Sequence, residues 1–145
     1  MIVITDSNII FSALISPNGV VAKIFKEKSN IQFIAPTYML EEVYNHWVKL
    51  NKHSSLDTFK LIKELDFLKS KISFIVTVDI PRKFRLQAYE IVKDFDSDDA
   101  VFVALNLYKK HKIWTSDKVL INGLEKKGYK ICVTTAELKA KLYKK

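Results

Sequence analysis

A set of acidic residues is placed where its members could act together in chemistry. The set consists of Asp6, Glu42, Asp96, Asp98, Asp99 and Asp117. Carboxylates that are brought close together repel one another and raise each other's pKa, unless a cation neutralises them. Magnesium and manganese ions prefer oxygen ligands, so such a set predicts a Mg²⁺ or Mn²⁺ site. A divalent cation of this kind activates water for attack on a phosphodiester and stabilises charge on the phosphoryl oxygens.

The histidines and the cysteine favour neither a zinc site nor disulfide chemistry. His46, His53 and His111 do not have the spacing of zinc ligands. The single cysteine, Cys132, lies in the apolar run 129–133, where a thiol behaves as a small buried hydrophobe. No disulfide can form within the chain, so we expect a reducing, cytoplasmic location.

The chain is basic, with 24 Lys and Arg against 16 Asp and Glu and a formal net charge of +8. This excess favours polyanionic partners, and a nucleic acid is the first candidate. Lysines on solvated faces give the same composition, and we expect that role for Lys126, Lys127, Lys130 and the group at 139–145. Charge alone therefore does not decide between the two interpretations.

The acidic residues need a scaffold that brings distant parts of the chain together. Short apolar runs, typical of buried parallel strands, occur at 2–5, 31–35, 73–77, 112–115 and 130–133. Apolar residues with helical spacing occur at 20–28, 36–47, 56–68, 84–92, 97–108, 118–126 and 136–143. Strands that alternate with helices predict an α/β fold, with a mostly parallel central sheet flanked by helices on both faces.

This fold would place the acids at one edge of the sheet. Asp6 follows the first predicted strand and Asp117 follows the fourth, and open parallel sheets bind ligands at the carboxyl ends of their strands. The acids at 96–99 precede or open a buried helix, and Glu42 lies in the early turns of the helix that leaves the second strand. Four chain segments thus deliver oxygen ligands to one edge.

Residues 1–145 are expected to form one domain. This length is enough to bury a core but too short for two domains, and the three Gly and three Pro form no linker. A composition of 48% hydrophobic and 28% charged residues is typical of globular proteins. The segment 1–6 lacks the basic region of a signal peptide, and no apolar run approaches the roughly 20 residues of a transmembrane helix.

Several of these positions also have a structural interpretation. Ser7 and Asn8 could cap the next helix, rather than orient water at a metal. The acids at 96–99 could complement a helix dipole, and Glu41 and Glu42 could lie on a solvated helix face.

Thr115 could be an ordinary strand residue. Its hydroxyl nevertheless points to the same side of the strand as Asp117, two residues later, and could support that acid. Trp47 and Trp114 follow the pattern of the apolar residues around them. We therefore expect them in the core, and not as platforms on which nucleobases stack. The roles of Tyr38 and Tyr44 stay open.

The acidic motifs, taken in order, resemble those of the PIN-domain nucleases. They are Asp6-Ser7-Asn8 after the first strand, Glu42 in the segment 39–43, the run 96–105, and Thr115-Ser116-Asp117. The resemblance covers nearly the full chain. It implies a three-layer Rossmann-like sandwich and an endoribonuclease that depends on Mg²⁺ or Mn²⁺ and cleaves single-stranded or structured RNA. The metal ligands that it implies are Asp6, Glu42, Asp99 and Asp117, with Asp96 as an additional acid of some branches.

The resemblance also implies partners for the chain. Many relatives are toxins of toxin–antitoxin pairs, usually homodimers that a partner protein inhibits, whereas others process RNA. Glu42 fits the family pattern because Met39, Leu40 and Val43 flank it, and Glu41 fits that pattern less well. Asn106 stands where many relatives carry Ala, a difference that we expect to affect packing more than chemistry.

Three other classes of protein compete with this interpretation. A PIN-like fold could bind RNA or a protein without cleaving. A receiver-like signalling domain would need an acidic pair near the end of the first strand and a lysine after a late strand, whereas Asp6 stands alone and 133–135 is Val-Thr-Thr. An aspartyl phosphatase would need a second Asp where Asn8 stands.

Overall fold

A parallel β-sheet forms the centre of the computed structural model, which describes residues 1–142. The five strands are β1 (Ile2–Thr5), β2 (Gln32–Pro36), β3 (Ile72–Ile75), β4 (Lys112–Trp114) and β5 (Cys132–Val133). Their order across the sheet is β3-β2-β1-β4-β5, and all neighbouring strands pair in parallel. The first strand is therefore central. Strands β2 and β3 are added on one side of it, and β4 and β5 on the other.

Helices fill the connections between these strands. Within residues 1–142 they are α1 (Ser7–Ile15), α2 (Val20–Lys26), α3 (Tyr38–Asn45), α4 (Trp47–His53), α5 (Thr58–Ser70), α6 (Arg82–Val92), α7 (Ala100–Lys109), α8 (Lys118–Lys126) and α9 (Thr135–Leu142). Single turns of 3₁₀ helix occur at Thr77–Asp79 and Ser97–Asp99. Only short loops separate the elements, as the lack of a linker in the sequence predicts.

The helices form two layers, one on each face of the sheet. Parallel strands are joined by right-handed crossovers, so connections that run in opposite directions across the sheet lie on opposite faces. On one face α1 packs against α2, α3, α4 and α5, and α6 packs against α7 and α8 in the other layer. The buried helix α7 contacts β1, β2 and β4. The predicted three-layer α/β fold with a parallel central sheet is confirmed.

Aromatic side chains fill the core beneath α2. The ring of Phe25 lies 4.7 Å from that of Phe33 and 5.2 Å from that of Trp114. Trp114 is fully buried, and its indole Nε1 donates a hydrogen bond to Thr135 Oγ1 at 3.1 Å. Trp47 is half-buried and packs against the same core, so both tryptophans are core residues, as predicted.

Two predictions about local structure were wrong or incomplete. Helix α1 was absent from the predicted helices because its less buried side carries the apolar residues Phe11 and Ile15 besides its buried face, which leaves no clear amphipathic period to recognise. Asp6, and not Ser7 or Asn8, caps this helix.

The helix predicted over 36–47 begins later and is interrupted. Pro36 ends β2 opposite Ile75, and α3 begins at Tyr38 and stops at Asn45, so that α4 is a separate helix. The other predicted elements are present with ends shifted by a few residues. Residue 143 of the last predicted helix lies outside the described residues.

None of the helices within residues 1–142 is long and apolar enough to cross a membrane by itself. Helices α1 and α2 pass that test only as a pair, and a bend of 101° separates them.

Candidate metal centre

Three carboxylates meet at the carboxyl edge of the sheet. They belong to Asp96, Asp99 and Asp117, and each contributes an oxygen that lies within 4.8 Å of the other two. We call these three residues the acidic cluster. Asp96 precedes the 3₁₀ turn that leads into α7, Asp99 is the last residue of that turn, and Asp117 precedes α8. Asp99 is 8% exposed, and the other two are half-buried.

Asp117 is oriented by its position at a helix N-terminus. Its Oδ1 accepts hydrogen bonds from the backbone N–H groups of Val119 at 3.0 Å and Leu120 at 3.2 Å. Both bonds use the same oxygen, so capping does not engage Oδ2. The cap of α8 therefore orients a carboxylate that also faces the acidic cluster.

Asp6 lies beside the cluster at the end of the central strand. It is 3% exposed, and its Oδ1 accepts a hydrogen bond from the N–H of Ser7 at 2.7 Å. Its Oδ2 accepts one from the hydroxyl of Thr115 at 2.6 Å. The same hydroxyl accepts from the N–H of Asp117 at 3.0 Å and from Asn8 Nδ2 at 3.2 Å. Thr115 thus connects Asp6 to the loop that carries Asp117.

Glu42 joins the site through a serine. The hydroxyl of Ser7 donates a hydrogen bond to Glu42 Oε1 at 2.5 Å, and Glu42 is half-buried while Glu41 is exposed. Glu42 is therefore the member of this pair that faces the site. It lies at the margin, outside the group of carboxylates whose oxygens all lie within 4.8 Å of one another.

Burial raises the pKa of Asp99 to about 10, and repulsion by Asp6 and Asp96 adds to the increase. Burial also raises the pKa of Asp96, which faces Asp117 and Asp98. Without a cation, the acidic cluster therefore does not carry its full negative charge at neutral pH.

The pKa of Asp6 is raised to about 6, mainly by burial. The hydrogen bonds from Thr115 and Ser7 oppose this increase, and repulsion by Glu42 and Asp117 adds to it. Burial raises the pKa of Glu42 as well, against the lowering effects of the Ser7 hydrogen bond and of His46.

The donor set fits a hard divalent cation. Every candidate ligand is a carboxylate, and the buried negative charge lacks a cationic partner, since the ion pairs of residues 1–142 lie elsewhere. Oxygen ligands without His or Cys suit Mg²⁺ or Mn²⁺ better than zinc.

Each residue predicted for the site lies at this edge, in one of two groups. The cluster holds Asp96, Asp99 and Asp117, and hydrogen bonds link Asp6, Asn8, Thr115 and Glu42 to one another through Thr115 or Ser7. The link from Ser7 to Glu42 was not predicted. The only sign of it in the sequence was the serine directly after Asp6. A serine at the start of a helix is equally typical of an N-cap, so this sign was weak.

Comparisons with known proteins bear on this arrangement. A family model described as a PIN domain matches residues 4–142. No curated protein matches the chain. Among solved structures, the chain is similar to one chain in the crystal structure of VapBC2 from Rickettsia felis bound to a DNA fragment from their promoter. The TM-score is 0.65 at 14% sequence identity, and the match covers 92% of this chain and 97% of that chain. At this identity the likeness concerns the fold.

Proposed function

Because the chain belongs to the PIN-domain family, we propose that it is a metal-dependent endoribonuclease that hydrolyses phosphodiester bonds of single-stranded or structured RNA. The observation that carries this proposal is the acidic cluster, whose three carboxylates offer oxygens within 4.8 Å of one another. Proteins rarely bury carboxylates without a compensating charge, unless the site serves a function.

Several of the acidic residues would together coordinate Mg²⁺ or Mn²⁺. We assign Asp99, Asp117 and Asp6 as its main ligands. Asp96, the third member of the acidic cluster, and Glu42, at the margin of the site, would be additional ligands. Thr115, whose hydroxyl accepts a hydrogen bond from Asn8, fixes the orientation of Asp6, and Ser7 fixes that of Glu42. The outer hydrogen bonds of a metal site orient its ligands in this way.

When bound, the cation would supply an activated water and neutralise charge on the phosphoryl group. The chain's own residues do the rest. The cap of α8 and the bond from Thr115 hold Asp117 and Asp6 in fixed positions before substrate arrives, which lowers the entropic cost of assembling the site. The positive net charge of +8 attracts the RNA backbone toward an otherwise acidic site.

We further propose that the chain is the toxin of a toxin–antitoxin pair and acts in the cytoplasm, with an antitoxin protein as its inhibitor and a homodimer as its assembly. The support is the similarity of fold to a chain of the VapBC2 complex. Expression of the chain alone should arrest growth, and expression of the Asp99→Asn variant should not. Growth at the normal rate with active enzyme present would point to RNA processing instead.

The decisive experiment is cleavage of a labelled, unstructured RNA. Protein treated with EDTA is expected to be inactive, and added Mg²⁺ or Mn²⁺ should restore cleavage. Asp99→Asn should abolish activity because it removes a ligand charge with little change in volume. Asp98→Asn is the matched control, since Asp98 is the exposed neighbour outside the cluster, and it should keep most activity. Activity that survives chelation, or RNA binding without cleavage by the wild type, would refute the proposal.

A further inference from the structure

A pocket of 280 Å³ lies between α1 and α4, next to the acidic site, by which we mean the acidic cluster together with Asp6 and Glu42. Its lining residues are Phe11, Ile15, His46, Lys49, Leu50 and His53, and we call it the α1–α4 pocket. We infer that it binds one nucleobase of the RNA strand whose backbone is cleaved at the acidic site. The inference rests on the proposed function and adds to it a site that selects the base.

The pocket begins one helical turn from Ser7 and Glu42, at the margin of the acidic site. Phe11 lies one helical turn after Ser7 on α1, and His46 lies one turn after Glu42, at the end of α3. The hydrogen bond between Ser7 and Glu42 therefore lies about 5.4 Å, one turn, from the first residues of the pocket. His46 Nδ1 donates to the backbone carbonyl of Glu42 at 2.9 Å, which holds its ring at the entrance. A base next to a phosphate at the acidic site is thus within reach of the pocket.

The walls of the pocket suit a flat ring. The rings of Phe11 and His46 lie 5.4 Å apart at an angle of 51°, and Leu50, which is 3% exposed, forms an apolar floor. Aromatic side chains are the platforms on which proteins stack single-stranded bases. Phe11 is only half-buried, so part of its ring is free to make this contact.

The rim of the pocket suits a polyanion. Lys49 and His53 are exposed at its opening, and none of its lining residues is acidic. The positive charge of Lys49 at this position would contact a phosphate beside a bound base, and the ring of His53 would donate a hydrogen bond to one. Lys49 also offsets the repulsion that the nearby acidic cluster exerts on RNA.

The size and shape of the pocket favour a base over a protein helix. Its volume lies at the lower end of ligand pockets, about 300 Å³, which is enough for one ring system. A bound helix needs a groove long enough for side chains two turns apart. Here α4 is held against α1 at the far end, where Ser54 Oγ donates to the carbonyl of Leu14 at 2.7 Å. The groove is therefore short.

The test measures binding rather than cleavage, and uses full-length protein carrying Asp99→Asn in EDTA. The probes are a short unstructured RNA and an abasic chain of the same length. Phe11→Leu keeps an apolar side chain but removes the flat face, so affinity for the RNA should fall about tenfold while affinity for the abasic chain stays the same. Lys49→Ala should lower the affinity for both probes. It should also reduce the dependence of that affinity on salt concentration by about one phosphate contact. Lys52→Ala is the matched control, since Lys52 is exposed on α4 outside the pocket, and should change neither affinity.

The outcomes separate this inference from the proposed function. The melting temperature of Phe11→Leu shows whether this variant is folded. If it is folded and binds both probes with the affinity of the parent protein, the pocket does not bind a base. If the wild type cleaves RNA in that case, the proposed function still stands. If the wild type does not cleave with any cation, but Phe11→Leu selectively loses affinity for RNA over the abasic chain, the base site stands and the nuclease proposal fails.

Discussion

A single hydroxyl group, that of Thr115, ties together the strand ends that carry Asp6 and Asp117. It donates to Asp6 and accepts from the backbone of Asp117 and from Asn8. The sequence pointed to Thr115 because it ends the predicted strand 112–115, two residues before Asp117, although β4 itself ends at Trp114. The same reasoning could not indicate the partner across 109 residues, which depends on how β1 and β4 pair.

Glu42 and Glu41 are adjacent in sequence but differ in their surroundings. Glu42 accepts from Ser7, whereas Glu41 is exposed, because successive helical residues point about 100° apart. Glu42→Gln is expected to lower metal-dependent cleavage at least tenfold, and Glu41→Gln should keep most of it. Steady-state rates at several Mn²⁺ concentrations would show this difference. The opposite ranking would mean that the acid at the margin of the site is Glu41.

The raised pKa values predict how metal-free stability depends on pH. Asp99 has an ordinary pKa of 3.8 and a folded-state pKa of about 10, and Asp6 rises from 3.8 to about 6. The folded protein therefore binds more protons than the unfolded chain in this range, so stability is highest at acid pH and falls as pH rises through these values. In EDTA, the melting temperature should decrease between about pH 5 and pH 8.

Two variants assign this pH dependence to its cause. Asp99→Asn cannot ionise at this position, so it should melt at a higher temperature than the wild type near neutral pH and show a shallower slope. Asp98→Asn should change the slope much less than Asp99→Asn does because Asp98 is exposed. A flat profile for metal-free wild type would contradict the raised pKa values.

At the level of helices and strands, the predictable part of the fold was the part with a clear hydrophobic pattern. Helix α8, over Lys118–Lys126, has ends that agree with its pattern because one face is buried and the other solvated. Helix α1 is apolar on most of its sides, including the exposed Ile15, so no clear periodicity distinguished it. The break at His46 between α3 and α4 also gave no signal, since neither Gly nor Pro marks it.

Helix α8 must hold a fixed position because its N-terminus orients Asp117. A Cβ added to Gly123 would come within 2.5 Å of the ring of Phe95, which precedes the segment of Asp96 and Asp99. Gly123→Ala should therefore force α8 and this loop apart and cost about 1–3 kcal/mol of stability by overpacking. Thermal or urea unfolding measures this cost. Asn122→Ala, an exposed neighbour on the same helix, is the control and should be neutral or slightly stabilising.

At the scale of the whole molecule, the order of strands explains why acids from distant segments meet. The chain travels from β1 to β3 on one side of the centre and then crosses to β4 and β5, so the ends of β1 and β4 are adjacent. Alternating strands and helices predicted a parallel sheet, but not this order. The carboxyl-edge rule was enough to place Asp6 and Asp117 together. The distances between their side chains required the structure.

The whole molecule should respond to a metal that binds only its folded state. Oxygen ligands at the acidic cluster and Asp6 are expected to bind Mg²⁺ or Mn²⁺, and ligand binding to the native state raises the melting temperature by mass action. The cation must displace protons from carboxyl groups of raised pKa, so the increase should grow as pH rises, opposite to the trend without metal. Calcium should also stabilise the fold but support little cleavage, because its larger and looser coordination would misplace the attacking water. Melting curves and RNA cleavage measured with one cation at a time test both statements. A melting temperature that no divalent cation changes in the wild type would show that these carboxylates hold no metal, whereas an equal increase in the Asp99→Asn variant would place the metal elsewhere on the protein.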